Sequence, residues 1–434
     1  MNYVTHNNYV RRNSRIKGEN MKRKIGVASI LLGTAASFCC CACGGYVWTK
    51  SIKAAAQEVC FYDAENCANI QENKGNHDDL KLRGKSAYVM DFGTETPIYF
   101  QNETKRLPIA SMCKIMTLLL AFEAIDNGIL DISEEIIVSE RAASMGGSQV
   151  FLEANGKYSV KELLKSIVVC SANDSCVAMA ERIAGSEEIF VERMNAKAKE
   201  IGANDTLFAN CTGLPKEPQY SCAKDVAIIF KNLLKHEAYY EFSKVWMDKF
   251  QHSKGRYTEI TNTNKLVRFY DGCDGGKTGF TNEAGFCLAA TAKRGAMRII
   301  SVVIGEESSQ NRFDDVRATF DYAFANYTIT PIIEHGKPLE QAVTVTGGKV
   351  KTIQVYPERS YFAFNRRGEK GNITLETRLF SVKAPISKDQ TVGEIIVYNN
   401  GVEVEKISLL AIENVEKANL FDRIQDVAKD WNAR

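Results

Sequence analysis

Histidine is scarce in this 434-residue chain, and its cysteines show no metal-binding pattern. The nine cysteines outside residues 25–49 form no C-x-x-C pair and have no neighbouring histidine, so no metal or cofactor is expected. A net charge of +2, without a Lys/Arg block beyond the N-terminus, argues against a nucleic-acid partner. The histidines lie in polar contexts, which leaves no obvious Ser-His-Asp triad. They are His6, His77, His236, His252 and His335.

The N-terminal region combines a basic flank with an uncharged run. Residues 1–24 are rich in Lys and Arg, and residues 25–49 contain no charged side chain. Such a run is long enough to span a bilayer, and it also fits a signal peptide. The basic flank predicts that residues 1–24 stay in the cytoplasm while the rest is exported. Whether the segment is cleaved or retained stays open. Residues 50–84 are polar and charged, which predicts a linker.

Two folded regions follow the predicted linker. Apolar helices between early and late strands predict one layered domain over 85–330, whose sheet is completed by both ends of the segment and whose last helix covers about 313–326. Short strands, several of them alternating, with Gly and Asn turns predict a small all-β domain over 331–412. The predicted strands are Ala342–Thr346, Val350–Tyr356, Tyr361–Asn365, Ile373–Leu379 and Val392–Tyr398. Residues 413–434 read as an amphipathic helix, which could lie in a membrane interface or dock on the β domain.

The strongest chemical pattern is Ser111 followed by Lys114 at the start of an apolar stretch. The i, i+3 spacing places both side chains on one face of a helix. Burial in such a helix lowers the pKa of a lysine, which can then act as a base toward its neighbouring serine. The alternative is a capping serine with a lysine reaching the surface. The same pattern recurs at Ser221 and Lys224, in a more polar setting.

Two further triplets provide proton-relay and substrate-binding groups that Ser111 and Lys114 do not. Ser171-Ala172-Asn173 follows a predicted helix, and Lys277-Thr278-Gly279 lies on a predicted strand. The order S-x-x-K, an S-D-N-type triplet and K-T-G is found in class A β-lactamases and penicillin-binding proteins. Ser171 can relay a proton, and Asn173 can hold the lysine amine and bind a substrate backbone. Lys277 and Thr278 can bind a substrate carboxylate, and Gly279 lets a peptide lie against the strand.

With these motifs, the sequence resembles the low-molecular-mass penicillin-binding proteins that act as serine-type D-alanyl-D-alanine carboxypeptidases. The resemblance covers roughly 85–412, including the segments 147–152, 262–266 and 274–281. It implies an α+β fold: a β-lactamase/transpeptidase-like catalytic domain with an antiparallel sheet flanked by helices, then the small all-β domain and the terminal helix as a membrane anchor. Cys113 departs from the small hydroxyl residues common at its position.

The resemblance also implies a role for each site residue. Ser111 would form the acyl-enzyme, Lys114 would be the base, and Ser171 and Asn173 would assist. Lys277 and Thr278 would bind the terminal carboxylate beside Gly279. The N–H groups of Ser111 and Phe280 would form the oxyanion hole.

The expected activity is removal of the terminal D-alanine from peptidoglycan stem pentapeptides at the outer face of the cytoplasmic membrane, with covalent acylation by β-lactams. Alternatives are a β-lactamase, a D,D-endopeptidase, or a catalytically silent protein that binds β-lactams or wall fragments. The oligomeric state stays open. A class A lactamase uses a glutamate for deacylation. The glutamates after Asn173 fall in amphipathic runs, and we expect them to face solvent: Glu181, Glu187, Glu188, Glu192 and Glu200.

Overall fold

The structure, a computed structural model, describes residues 80–369 and 371–425. The predicted cytoplasmic segment, the uncharged segment and nearly all of the linker therefore lie outside the described residues. In the part that is described, no helix is both long and apolar enough to cross a membrane.

The first region contains strands and helices in alternation. Its strands are β1 (Ser86–Asp91), β2 (Pro97–Gln101), β3 (Glu135–Ile137), β4 (Lys157–Ser159), β5 (Met247–Gln251), β6 (Tyr257–Thr261), β7 (Cys273–Thr281), β8 (Gly285–Arg294) and β9 (Met297–Glu306). Its helices are α1 (Lys114–Asp126), α2 (Glu140–Ala143), α3 (Val160–Cys170), α4 (Asn173–Ala184), α5 (Glu187–Glu200), α6 (Ala223–Leu233), α7 (Tyr239–Ser243), α8 (Leu266–Phe269) and α9 (Ser309–Asn326).

A five-stranded antiparallel sheet lies at the centre of this region, in the order β2-β1-β9-β8-β7. Because neighbouring residues of a strand point to opposite faces, the two faces carry separate hydrophobic cores. Tyr88 and Met90 belong to the core that contains α1 and α6, whereas Ala87 and Val89 pack with α9. The predicted antiparallel sheet flanked by helices is confirmed, and both ends of the segment contribute strands to it.

The central helix α1 is buried around most of its circumference, as its uniformly apolar sequence predicts. Nine of its 13 residues are buried, and it ends at Asp126 before Gly128, which has a φ of +68°. A helix in this environment holds its first residue, Lys114, away from water. This placement fixes the position of the predicted site.

Some short elements of the first region differ from the sequence prediction. The antiparallel pairs β3–β4 and β5–β6 are not predicted, because their strands are only three to five residues long. Helix α9 begins at Ser309, where the Ser308 side chain accepts the N–H of Asn311, rather than near the predicted residue 313. The predicted linker ends before residue 84, since Arg83 Nε donates a hydrogen bond to Asp315 Oδ1 at 2.9 Å.

The second region is built from strands, as predicted. They are β10 (Tyr327–Ile333), β11 (Ala342–Thr346), β12 (Thr352–Pro357), β13 (Tyr361–Arg366), β14 (Ile373–Leu379), β15 (Val382–Lys383), β16 (Thr391–Asn399) and β17 (Val402–Ala411). Six of them form one sheet in the order β14-β16-β17-β12-β11-β15, and β10 pairs with β13. Strand β10 crosses the predicted boundary at residue 331, and β17 is missing from the prediction.

The terminal helix begins at residue 420, later than the predicted residue 413. Residues before it belong to the β domain, since Val415 is buried and forms a bridge with Ile386. The described part of the helix, 420–425, presents Leu420, Phe421 and Ile424 to solvent, with 76%, 67% and 57% of their surface exposed. More than half of the surface of each of these side chains is therefore exposed in the described part of the chain.

Candidate active site

Ser111 lies in a single 3-10 turn, Ala110–Cys113, that leads directly into α1. The residue before it, Ala110, has a φ of +47°, a left-handed conformation that non-glycine residues rarely adopt. Such backbone strain occurs often at functional sites, where the surrounding structure maintains it. The half-buried serine is thus held in a defined place at the start of a rigid helix.

Lys114 is completely buried and points at this serine. Its Nζ donates hydrogen bonds to Ser111 Oγ at 2.9 Å and to the carbonyl oxygen of Thr212 at 2.5 Å. Burial lowers the pKa of the Lys114 amine, because the charged form loses its hydration. The predicted pair is therefore in contact. The alternative interpretation, a capping serine with a lysine that reaches the surface, does not fit this geometry.

The turn that contacts Lys114 comes from a distant part of the sequence. Asn210 Oδ1 accepts the N–H of Thr212 at 3.2 Å and of Gly213 at 2.7 Å. Gly213 has a φ of +81°, and a Cβ there would lie 2.0 Å from the carbonyl oxygen of Ala110. The sequence analysis does not predict this turn. The sequence feature that could have indicated it is Asn210 followed by Gly213, a spacing typical of a turn stabilised by an Asn side chain.

Ser171 and Asn173 lie where α3 ends and α4 begins. Ser171 closes α3 with a φ of +67°, and both residues are almost fully buried. Asn173 Nδ2 donates to the carbonyl oxygen of Gly146 at 2.7 Å. Neither Ser171 Oγ nor Asn173 Oδ1 has a hydrogen-bond partner among the described residues. No hydrogen bond therefore links Asn173 Oδ1 to the lysine amine as the sequence suggests, and both oxygens are buried without a partner.

Lys277 and Thr278 lie on β7, near the pair of Ser111 and Lys114. Lys277 Nζ donates to the carbonyl oxygen of Thr278 at 3.0 Å, and both residues are buried. Burial, and then the nearby charge of Lys114, lower the pKa of Lys277 well below its ordinary value. Two lysines so close together favour a site in which one of them is neutral.

Gly279 allows β7 to approach the serine turn closely. A Cβ at this position would lie 2.6 Å from the carbonyl oxygen of Ile109 and 3.3 Å from the amide nitrogen of Met112. The next residue, Phe280, is half exposed, and its ring stacks on Phe286 with centroids 4.3 Å apart. The close approach places the backbone of Phe280 next to the serine turn.

Arg312 supports this strand and is absent from the sequence prediction. Its Nη1 donates to the carbonyl oxygen of Gly279 at 3.2 Å, and burial lowers the pKa of its guanidinium to about 10. The prediction misses it because it starts α9 at residue 313. Ser308, a good N-cap four residues earlier, is the signal that would include Arg312 in the helix.

The other predicted side chains are placed as follows. Cys113 and Cys176 are buried free thiols and Cys170 is half-buried, which fits the expectation of small core residues. Ser221 bonds Thr206 through their hydroxyl oxygens at 2.8 Å, and Lys224 is exposed, so the second S-x-x-K forms no pair.

One of the glutamates does not face solvent as expected. Glu187 is buried, pairs with Arg141, and its Oε1 accepts the N–H of Cys211 at 3.1 Å. The expectation of a solvated side chain is wrong there because Glu187 supports the turn that contacts Lys114. It is hydrogen bonded to neither Ser111 nor Lys114 within the described chain.

The geometry brings a serine hydroxyl into hydrogen-bond contact with a buried lysine amine, an arrangement that can support acyl transfer through a serine. The family model of D-alanyl-D-alanine carboxypeptidases matches residues 72–308, and that of the penicillin-binding protein 5 C-terminal domain matches residues 327–417. The D-alanyl-D-alanine carboxypeptidase DacF of Bacillus subtilis (strain 168) is 40% identical over 355 residues, 81% of this chain and 91% of that protein.

Solved structures agree with these matches. A peptidoglycan synthesis regulatory factor (PBP3) from Streptococcus pneumoniae is 27% identical with a TM-score of 0.66, covering 78% of this chain and 100% of that one. Penicillin-binding protein D2 from Listeria monocytogenes, in its ampicillin-bound form, is 30% identical with a TM-score of 0.51, covering 56% of this chain and 99% of that one. The chain belongs to the D-alanyl-D-alanine carboxypeptidase family and is a serine-type carboxypeptidase.

Proposed function

We propose that the chain removes the terminal D-alanine from peptidoglycan stem pentapeptides through an acyl-enzyme on Ser111. The observation that carries this assignment is the 2.9 Å hydrogen bond between Lys114 Nζ and Ser111 Oγ, made by a lysine whose pKa is lowered by burial. Neutral Lys114 takes the Ser111 proton as Oγ attacks the carbonyl carbon of the penultimate D-alanine. The carbonyl oxygen of Thr212 orients the amine by accepting one of its N–H groups.

The remaining site residues bind the substrate on either side of the bond that is broken. Lys277 and Thr278 bind the carboxylate of the terminal D-alanine, and the N–H groups of Ser111 and Phe280 stabilise the tetrahedral oxyanion. Each such donor contributes about 2.7–4 kcal/mol to catalysis in enzymes of this type. Asn173 binds the peptide backbone and Ser171 passes a proton to the departing amine; both have an unpaired buried oxygen for this purpose. Water then releases the shortened peptide from Ser111.

β-Lactams acylate the same serine, and the penicilloyl ester is released slowly. The Listeria relative was solved with ampicillin bound. Glu187, the buried glutamate that supports the 210–213 turn, is engaged by Arg141 and by the N–H of Cys211, which supports slow deacylation over the glutamate-assisted release of a class A lactamase.

We also propose that the enzyme works at the outer face of the cytoplasmic membrane. Supporting observations are the basic flank with its uncharged run at 25–49 and the exposed Leu420, Phe421 and Ile424 of the terminal helix. Fractionation of cells that express the full chain or a form lacking residues 1–50 and 415–434 tests this. The shortened form should be recovered as a soluble protein, and its continued sedimentation with membranes would contradict the proposal.

The activity is tested by giving the full-length protein a pentapeptide ending in D-Ala-D-Ala and, separately, benzylpenicillin. One D-alanine should be freed per peptide consumed, and the drug should form a long-lived stoichiometric adduct. Rapid hydrolysis of penicillin without release of D-alanine would favour a lactamase. Failure of both reactions would favour a silent binding protein.

A further inference from the structure

A buried histidine that the proposed mechanism does not use lies at the tip of the β5–β6 hairpin. His252 directly follows β5, and only 8% of its surface is exposed. Burying a polar ring is costly unless its hydrogen-bonding atoms find partners. The partners of His252 therefore show what its burial achieves.

Both ring nitrogens of His252 are hydrogen bonded to side chains. Nδ1 lies 3.2 Å from the Tyr158 hydroxyl and 2.9 Å from Arg256 Nη2. Because an arginine can only donate, Nδ1 must accept, and the proton of the neutral ring lies on Nε2. Nε2 therefore donates to Thr258 Oγ1 at 2.9 Å, and this hydroxyl donates to the carbonyl oxygen of Val150 at 3.2 Å.

The hairpin tip makes further contacts with the same part of the chain. Arg256 Nη2 also donates to the carbonyl oxygen of Phe151 at 3.1 Å and to Glu153 Oε1 at 3.0 Å. Ser253 Oγ donates to Glu153 Oε2 at 2.7 Å, and the N–H of Glu153 donates to the Tyr158 hydroxyl oxygen at 3.2 Å. We call the side chains that make these contacts the His252 network: Glu153, Tyr158, His252, Ser253, Arg256 and Thr258.

The residues held by this network belong to a segment, 146–153, that also holds the start of α4. Asn173 Nδ2 donates to the carbonyl oxygen of Gly146 at 2.7 Å. The backbone N–H of Asn173 donates to the carbonyl oxygen of Ser148, also at 2.7 Å. The 146–153 segment is therefore fixed to Asn173 on one side and to the His252 network on the other.

Phe151, within this segment, has a strained backbone. Its φ is +64°, a value that non-glycine residues rarely adopt. Such a conformation persists only where the surrounding contacts enforce it. Asp174 accepts the N–H groups of the residues on either side of Phe151, each at 3.1 Å, and Arg256 binds the Phe151 carbonyl. Loss of the network should therefore let the segment relax and release its hold on Asn173.

We infer that His252 is a positioning residue for the carboxypeptidase reaction: in its neutral form it holds the segment that orients the side-chain amide of Asn173. The inference rests on the proposed function and adds a residue that acts through Asn173 without touching the substrate. The bond from Asn173 Nδ2 to Gly146 leaves Oδ1 as the atom without a partner in the described chain. This fixed orientation is what the peptide backbone of a substrate would meet.

Protonation of His252 should disrupt the network. Among the described residues, the titratable and charged groups near its ring are Tyr158 from β4, Glu153 from the held segment and Arg256 from the hairpin itself. Burial, and then the charge of Arg256, lower the pKa of His252 from its ordinary value of 6.5, against the opposite effect of Glu153. A proton on Nδ1 would face the donors of Tyr158 and Arg256. The network should therefore open only in acidic solution, below pH 6.5.

The first test compares two buried tyrosines in the full-length protein. Tyr158→Phe removes the hydroxyl that contacts His252, whereas Tyr270→Phe removes a hydroxyl that donates to Asp321 at 2.7 Å, in the core that contains α9. Thermal melting of both variants is measured in parallel, and rates are compared where both are folded. Tyr158→Phe should lower kcat/KM for a pentapeptide ending in D-Ala-D-Ala about tenfold, and His252→Ala at least as much. Tyr270→Phe should leave it unchanged.

A pH profile separates positioning from a general loss of stability. In the unmodified protein both Lys114 and His252 must be unprotonated, so the logarithm of kcat/KM should fall with a slope near two below both pKa values. His252→Asn keeps an acceptor oxygen close to the place of Nδ1 but cannot take up a proton. It should recover part of the rate lost in His252→Ala, and its slope should stay near one.

The failure of this inference is distinguishable from that of the proposed function. If the unmodified protein releases D-alanine but Tyr158→Phe and His252→Ala are as fast as Tyr270→Phe, the inference is wrong and the carboxypeptidase assignment stands. The same conclusion follows if His252→Asn has the slope of the unmodified protein. If the unmodified protein releases no D-alanine, the proposed function fails, and the inference that rests on it fails as well.

Discussion

Replacing Gly213 by alanine should disable acylation without unfolding the protein. A Cβ at Gly213 would lie 2.0 Å from the Ala110 carbonyl oxygen, whereas real Cβ contacts are essentially never shorter than 3.0 Å. The turn and the residue before Ser111 must therefore separate by about 1 Å. A misplacement of about 1 Å can cost roughly 100-fold in rate, which corresponds to about 2.7 kcal/mol. Thr212, whose carbonyl oxygen orients Lys114, moves with the same turn.

A matched control separates this clash from the general cost of alanine in a left-handed conformation. Gly202 has a φ of +83°, nearly the same as the +81° of Gly213, but no atom lies within 4 Å of the place that a Cβ would take there. Both substitutions should cost about 1–2 kcal/mol of stability through backbone strain. Only Gly213→Ala should slow acylation.

The assay is time-resolved labelling with a fluorescent penicillin, with thermal melting of both variants measured in parallel. Gly213→Ala should label about 100-fold more slowly than Gly202→Ala at a temperature where both are folded. Equal labelling rates in the two variants would refute the claim that the 210–213 turn positions the nucleophile and its base.

Two further predictions follow from the lowered pKa values of the site lysines. The rate of acylation by benzylpenicillin should rise with pH and reach a plateau below pH 10.5, the ordinary pKa of a lysine. The reason is that Lys114 must be neutral to act as the base. A rate that is independent of pH from 5 to 10 would contradict this prediction. Lys277→Met should stabilise the fold at neutral pH, because burial and the charge of Lys114 lower the pKa of Lys277 and penalise its protonated form in the folded state. Between the lowered pKa of Lys277 in the folded state and its ordinary pKa of 10.5, the unfolded chain binds one more proton than the folded chain. The stability gained by Lys277→Met should therefore shrink as the pH approaches 10.5, which denaturant titrations at several pH values can measure.

The long apolar elements and the local chemistry were predictable from the sequence. Helix α1 and strands such as Ser86–Asp91 have uninterrupted apolar runs, and the pairing of Ser111 with Lys114 needs only helical spacing. Contacts made by backbone atoms were not predictable. The Thr212 carbonyl comes from 98 residues away and has no side-chain signal.

Other elements were missed for different reasons. Hairpin β5–β6 buries only Phe250 in its first strand, so no alternation marks it. Strand β17 does follow an Asn400-Gly401 turn and alternates at its start, so its signal was present in the sequence. Ser171 and Asn173 were predicted from their motif. The sequence could not show that their side-chain oxygens have no hydrogen-bond partner, because this depends on tertiary packing.

The most direct test of the central claim is to locate the acyl group. The full-length protein is treated with benzylpenicillin, digested, and its peptides are analysed by mass spectrometry, in parallel with the Ser111→Ala variant. The penicilloyl adduct should be found on Ser111 alone, and the folded Ser111→Ala protein should carry none. An adduct on Ser221 or any other serine, or one that persists in Ser111→Ala, would contradict the assignment of Ser111 as the nucleophile activated by Lys114.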